Sequence, residues 1–360
     1  MPTGPVDLNM EPTPISGDSR SPERDVSKIV AAFRKAQATG EPVDPSYLDL
    51  QGLNFLGQDL SKLDLSGCNF TGAELSRCDL RDANCAGAIF DQATLFQAKL
   101  DGAEFLSASF QQANLSECSA KNTGFGQCNL EQANFSMSNL TGATFVSTKA
   151  RRADFRNCKM AGARMMEADL HHADFSQSDM GEVDLQQTNL DGTTFSKTSL
   201  RGVRLRNARN YTTAHWIDAD IRDVDFAGAY LVRRHIVDEN FLHEFQNQSR
   251  THRCIYWIWW VTSDCGRSAL RWAGFCGVII VIFGFIFDSM GDQVEYPEGL
   301  ARGFAPWYFS AMLSCTSALG DVLPKSTLAQ ILVNTEVMIG YIGFGGLITI
   351  ISSQMGTRGE

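Results

Sequence analysis

The sequence predicts two architectures in one chain of 360 residues. The first is a β-coil that turns a corner every five residues. The second is an α-helical module with two membrane spans and a re-entrant segment between them. Three observations predict this. From Leu50 to Leu205, 29 of the 32 positions spaced five apart are Leu, Phe or Met. Near the C-terminus, Trp272 to Phe287 is uncharged, and Leu328 to Ser352 is apolar apart from Gln330, Asn334 and Glu336. Each, with its flanks, reaches the roughly 20 residues a bilayer needs. Between them lies Phe309 to Pro324, FSAMLSCTSALGDVLP, a stretch too short to span.

Residues 1–25 are rich in Pro and lack an apolar core, which predicts a disordered N-terminus without a signal peptide. Residues 26–47 follow as a cap and linker. Within them Ser27 to Ala38, SKIVAAFRKAQA, reads as a helix that covers the first open edge of the coil.

The coil itself occupies residues 48–231. A period of five fits neither an α-helix nor a flat strand. The exceptions in the large phase are Cys85, Ala120 and Ala150. Two places before each large residue sits a small one: from Cys68 to Val203 all 28 such positions are Ala, Cys, Ser, Thr or Val. Both phases point inward, and the other three residues of each repeat meet water. Runs such as Gly72-Ala73-Glu74-Leu75 and Gln132-Ala133-Asn134-Phe135 resemble the pentapeptide-repeat family. The resemblance implies a right-handed quadrilateral β-helix, one repeat to a face. After Leu205 the next large residues are Trp216, Ile221, Phe226 and Leu231, so a one-residue bulge falls within Arg206–His215.

Cys68, Cys78, Cys118, Cys128 and Cys158 share the small phase and act there as small apolar residues in a reducing compartment. His171 and His172 are adjacent outward positions, read as solvated rather than as ligands. From Leu48 to Val232 there are 23 acids and 17 bases, with a basic band at Arg151, Arg152, Arg156, Lys159 and Arg164. Some pentapeptide-repeat proteins resemble duplex DNA in charge and shape. This balance is too mild for that role, and no nucleic acid is expected as a partner.

Residues 232–267 read as an amphipathic connector helix. Its second half, Cys254 to Val261 (CIYWIWWV), suits the membrane interface. Arg250, Arg253, Arg267 and Arg271 precede the first span, whereas the 289–326 loop holds only Arg302 and Lys325. The positive-inside rule then puts the repeats in the cytoplasm of a multi-pass protein of the inner or plasma membrane.

Residues 268–355 form the membrane module. Pro306 to Cys315 reads as a short helix, followed by an irregular run. Thr316, Ser317, Ala318, Leu319, Gly320 and Asp321, with Pro324 after them, resemble the pore loop of two-transmembrane potassium-channel-like proteins, whose pattern is Thr-x-Gly-aromatic-Gly-Asp. Ala318 stands at the first Gly and Leu319 at the aromatic. The resemblance implies a homotetramer around a pore for a monovalent cation, K⁺ or Na⁺, a selectivity filter at Thr316–Asp321, and an inner-helix hinge at Gly340, 19 residues after Asp321. Gly343, Gly345 and Gly346 offer close packing or bending. Glu336, an acid within a span, is expected to bond behind the filter to Ser314, Thr316 or Ser317. Asp292, Glu295, Glu298 and Asp321 make the outer mouth acidic. No nucleophile–base pair, phosphate loop or metal-ligand spacing is present, so neither an enzyme nor a cofactor is expected. The repeats would serve assembly, or an unknown cytoplasmic ligand or protein. The alternative is a non-conducting, membrane-anchored scaffold.

Overall fold

The computed structural model describes residues 25–227, 230–296, 303–316 and 322–356. The chain divides into two compact units, Met1–Asn240 and Phe241–Glu360.

The first unit opens with α1 (Val26–Thr39), capped by the Asp25 carboxylate at its start and by left-handed Gly40 at its end. Ile29 and Phe33 are buried against the coil. Arg34 and Gln37 donate to the main-chain oxygens of Asp59 and Lys62, at 2.8 and 2.6 Å, on the first open edge.

The coil is a quadrilateral β-helix. Parallel bridges join each rung to the one twenty residues on, from Asp49 with Asn69 to Asn189 with Arg209. At most corners a carbonyl accepts from the amide three residues later, as in Ala73 N–H to Phe70 O at 2.9 Å. The third residue of each such turn has positive φ, the geometry of a type II turn. Gly72 suits it, but Lys62, Arg77, Glu117 and Met137 take it as well. An Asn or Asp before the large residue steadies many corners, as where Asn69 Oδ1 accepts from Thr71 N–H at 3.0 Å.

Inside, equivalent side chains stack along each face. Phe135, Phe155, Phe175, Phe195 and Trp216 form one aromatic column, with ring centres 4.5 to 5.4 Å apart. Buried hydroxyls of the small phase are satisfied, for example Ser138 Oγ to Leu115 O at 2.8 Å. The bridging interval changes to twenty-one at Thr194 with His215, and a 3₁₀ turn at Tyr211–Thr213 absorbs the extra residue.

The coil ends earlier than its sequence phase suggests. The last bridge is at Asp225, and α2 (Tyr230–Gln248) has begun before Leu231, which is exposed. Beyond Asp225 no further bridge forms among the described residues, and a helix seals the edge instead. Val232 and Ile236 of α2 are buried there. Glu239 accepts from Trp216 N–H at 3.2 Å, and Asn240 bonds both Trp216 O, at 3.1 Å, and Asp218 N–H, at 2.7 Å.

The second unit contains the rest of α2 and then α3 (Arg250–Ser263), α4 (Ala269–Ser289), β1 (Val294–Glu295), α5 (Ala305–Thr316), β2 (Leu323–Pro324) and α6 (Thr327–Gly356). The expected single connector helix is thus two helices. Ser249 breaks it by capping α3, its hydroxyl accepting from His252 N–H at 3.2 Å. Ala269–Ser289 and Thr327–Ser352 are long and apolar enough to cross a membrane. Phe283, Phe287, Phe309, Leu313 and Val333 form the core where α4, α5 and α6 meet.

Candidate functional site

The site grows from two matched spacings. On α5, Ser310 and Ser314 are four residues apart; on α6, Glu336 and Gly340 are too. Each pair therefore shares one helix face. Ser314 Oγ donates to Glu336 Oε1 at 3.1 Å, and Ser310 Oγ also contacts Oε1. Ser310 Oγ lies 2.9 Å from Ile280 O on α4, so one hydroxyl touches all three helices. Glu336 is completely buried, and its Oε2 has no partner among the described residues. One turn on, a β-carbon at Gly340 would fall 2.6 Å from the carbonyl oxygen of Ser314. The glycine thus allows α5 to meet the main chain of α6.

Towards the other end of α4, Trp272 Nε1 donates to Gly343 O at 2.7 Å. A cavity of about 340 Å³ opens between these contacts, with Phe275, Cys276, Ile279, Cys315 and Gly340 among its walls.

After α4 the chain is tied to the strand that precedes α6. Val294 pairs with Pro324 and Glu295 with Leu323. Lys325 Nζ lies 3.2 Å from Glu295 Oε2, and Ser326 Oγ donates to Gln293 Oε1 at 2.8 Å. Tyr296, which packs against Phe309, has its hydroxyl buried and unpartnered among the described residues. Burial, helped by the charge of Asp288, pushes its phenol up to about 12.

Of the expected filter, Thr316 closes α5, while Ser317, Ala318, Leu319, Gly320 and Asp321 lie outside the described residues. Glu336 does bond Ser314, as the sequence suggested, but Ser310 was not foreseen. Its signal was the four-residue spacing to Ser314. Gly340, expected as a hinge, lies within the continuous helix α6 and is a close contact. A β-carbon on Gly346 would lie 2.6 Å from Trp272, whereas Gly345 faces open space.

In the coil, His171 Nδ1 lies 3.0 Å from Asp191 Oδ2 at the surface. Among the described residues no group of three or more His, Cys, Asp or Glu could hold a metal ion. The coil thiols are buried and free. Burial pushes Cys68, Cys78, Cys118, Cys128 and Cys158 up to about 12.

Comparison with known proteins bears on the coil. A family model described as a pentapeptide repeat region matches residues 68–145 and 98–175. Another, pentapeptide repeats (8 copies), matches 46–77 and 178–209. No curated protein matches the chain significantly. Among solved structures, HetL, involved in heterocyst differentiation regulation in the cyanobacterium Nostoc sp. strain PCC 7120, is 22% identical; the match covers 49% of this chain and 89% of that one, with a TM-score of 0.25. Full-length QnrB1, a plasmid-mediated fluoroquinolone resistance protein, is 21% identical over 50% of this chain and 89% of that one, with a TM-score of 0.27. Rfr23 from the cyanobacterium Cyanothece 51142 is 16% identical over 47% and 87%, with a TM-score of 0.14.

Proposed function

Because the chain is a pentapeptide-repeat protein, with a helical unit beyond the repeats, we propose that it is a subunit of a monovalent-cation pore whose repeat domain serves assembly or regulation. The observation that carries this reading is the placement of α5. Its 12 residues give a length of about 18 Å, well short of the roughly 30 Å of a bilayer core. It packs between two span-length helices, and its hydroxyls are bonded to α4 and α6. A short buried helix that ends between two spans, followed by a return to the surface through β2, suits a re-entrant loop. Such a loop is tolerated where protein or a wet cavity surrounds it.

One subunit supplies one such loop, so a pore needs a closed ring of copies, by resemblance a homotetramer. The C-terminal ends of the α5 helices carry partial negative charge, which favours a cation at the axis. Main-chain oxygens of Thr316 through Leu319 would replace the hydration of K⁺ or Na⁺, and Gly320 with Asp321 would form the mouth. The arginines before α4 favour repeats on the cytoplasmic side of the inner or plasma membrane. The repeat surface is then free for an unidentified cytoplasmic ligand or protein.

The test is ion flux by the purified full chain in liposomes under K⁺ and Na⁺ gradients. Cation flux that needs assembled oligomer supports the pore. A folded, membrane-inserted oligomer that passes neither ion leaves the second reading, a membrane-anchored scaffold, which Ala318 and Leu319 in the filter favour.

A further inference from the structure

We propose that Glu336 is a proton-binding site, a neutral carboxylic acid that donates to Ser310 and so ties α6 to α5. The supply of hydrogens at Ser310 favours this state. Ser310 has one hydroxyl hydrogen. Its oxygen lies 2.9 Å from Ile280 O and also touches Glu336 Oε1. A peptide carbonyl can only accept, so the Ile280 contact uses the Ser310 hydrogen. The Glu336 contact then needs a hydrogen from the acid. Ser314 supplies the remaining one to Oε1 at 3.1 Å.

With Glu336 ionised, the two serine hydrogens would serve three acceptor oxygens. Oε2 would share a negative charge in a fully buried place with no partner among the described residues. With the proton on Oε1, the hydrogens run in one direction from Ser314 to Glu336, to Ser310 and to Ile280. The unpaired atom is then a neutral carbonyl oxygen, far cheaper to bury than a charge. Among the described residues no counter-charge bonds to Glu336. The titratable groups are Arg271, Cys276 and Asp288 on α4, Tyr308 and Cys315 on α5, and Tyr341 on α6. Glu295 on β1 and Lys325, just after β2, pair with each other, and Tyr296, packed on Phe309, has no hydroxyl partner among the described residues. Among the described residues none of these bonds Glu336.

Ionisation would remove the donor to Ser310 and release α5 from α6. The consequence for conduction rests on the pore reading; the proton itself does not. Infrared absorption of the full chain in lipid tests the proton directly. The wild type minus Glu336→Gln is expected to show a deuteration-sensitive carbonyl band of a protonated acid at neutral pH, unchanged by Asp288→Asn. A folded wild type without that band overturns the proposal. If Glu336→Gln fails to assemble, Ser310→Ala decides. It removes the acceptor, so the band moves up to the position of a free acid, and an unmoved band overturns the proposal. In flux measurements, wild-type rates are expected to fall severalfold over the pH range where the band disappears, while Glu336→Gln loses that dependence. The same sloping profile in both overturns the link between proton and conduction. If no variant conducts, the pore reading fails and the infrared result alone decides the proton site.

Discussion

Gly340 lies so close to Ser314 that a β-carbon on it would sit 2.6 Å from that residue's carbonyl oxygen and 2.8 Å from its α-carbon. Both atoms belong to the main chain and cannot rotate away. The last turn of α5 is therefore set by the bare backbone of α6.

Gly340→Ala is expected to push the two helices apart, at a cost of about 1–3 kcal/mol. Thermal unfolding in detergent should show the loss, and under the proposed pore function cation flux should fall with it. Gly345→Ala meets nothing within 4 Å and serves as the control. Equal melting of the two variants would show that α5 does not need this contact.

Phe155 is fully buried, with Phe135 and Phe175 stacked on either side at 5.2 and 4.9 Å. Phe155→Ala opens a hole in a column that cannot collapse without shortening its neighbours, and should cost about 3–5 kcal/mol. Each coil touches only the next, so the loss is expected to appear as local opening around that rung. Hydrogen exchange would locate it; uniform loss of protection along the whole coil would contradict a nearest-neighbour solenoid.

The buried thiols set an alkaline limit. Burial raises Cys68, Cys78, Cys118, Cys128 and Cys158 from 9.0 to about 12. A group raised on folding contributes its full stability below its unfolded value. That contribution is lost as pH rises from 9.0 towards about 12, because the unfolded chain releases the proton first. Each thiol adds a slope of at most about 1.4 kcal/mol per pH unit. Denaturant midpoints should therefore fall above about pH 9, and less steeply in Cys118→Ala with Cys158→Ala. A midpoint independent of pH in that range would mean the thiols are not held in the dry interior. At neutral pH, exposed Cys254 should react with a maleimide while the coil thiols do not.

How much of this was legible in the sequence differs between the two units. The coil was open to reading because a five-residue period has few geometric solutions, and the bulge followed from the eleven-residue step between Leu205 and Trp216. The turn conformation was hidden. Arg77, Glu117 and Met137 have no local preference for positive φ. Stacking imposes it, as Met137 N–H donating to Arg156 O at 2.9 Å illustrates. Leu231 kept the phase of the repeat and still left the coil, because phase records which side chains face inward and not whether another rung follows. Glu336 stood out as an acid in an apolar run. Ser310 did not, since its four-residue spacing to Ser314 marks a shared helix face but not which residue lies against it.

For the proposed pore, weak selectivity is expected. Ala318 carries a β-carbon where the resembled filters have glycine, and positive φ there would cost roughly 1–2 kcal/mol. Leu319 lacks the ring hydroxyl of a tyrosine to brace the filter. Reversal potentials under bi-ionic conditions should give a K⁺ to Na⁺ permeability ratio near unity, and a strong K⁺ preference would refute this. Ala318→Gly with Leu319→Tyr should raise the ratio. An unchanged ratio would place the filter elsewhere.

Pairing at an interval of twenty also governs how such a chain can change length over generations. Loss or gain of twenty contiguous residues between Leu50 and Leu205 removes or inserts one whole storey. Every remaining side chain keeps its column, and both end seals meet the walls they were fitted to. A change of five keeps the inward phase but rotates everything downstream by a quarter turn, so that Trp216 would arrive over a different column from Phe195. Height can therefore drift by storeys while orientation stays locked. The change to an interval of twenty-one, which starts at Thr194 with His215 and holds to Arg204 with Asp225, marks where the interchangeable storeys stop and the fixed roof begins.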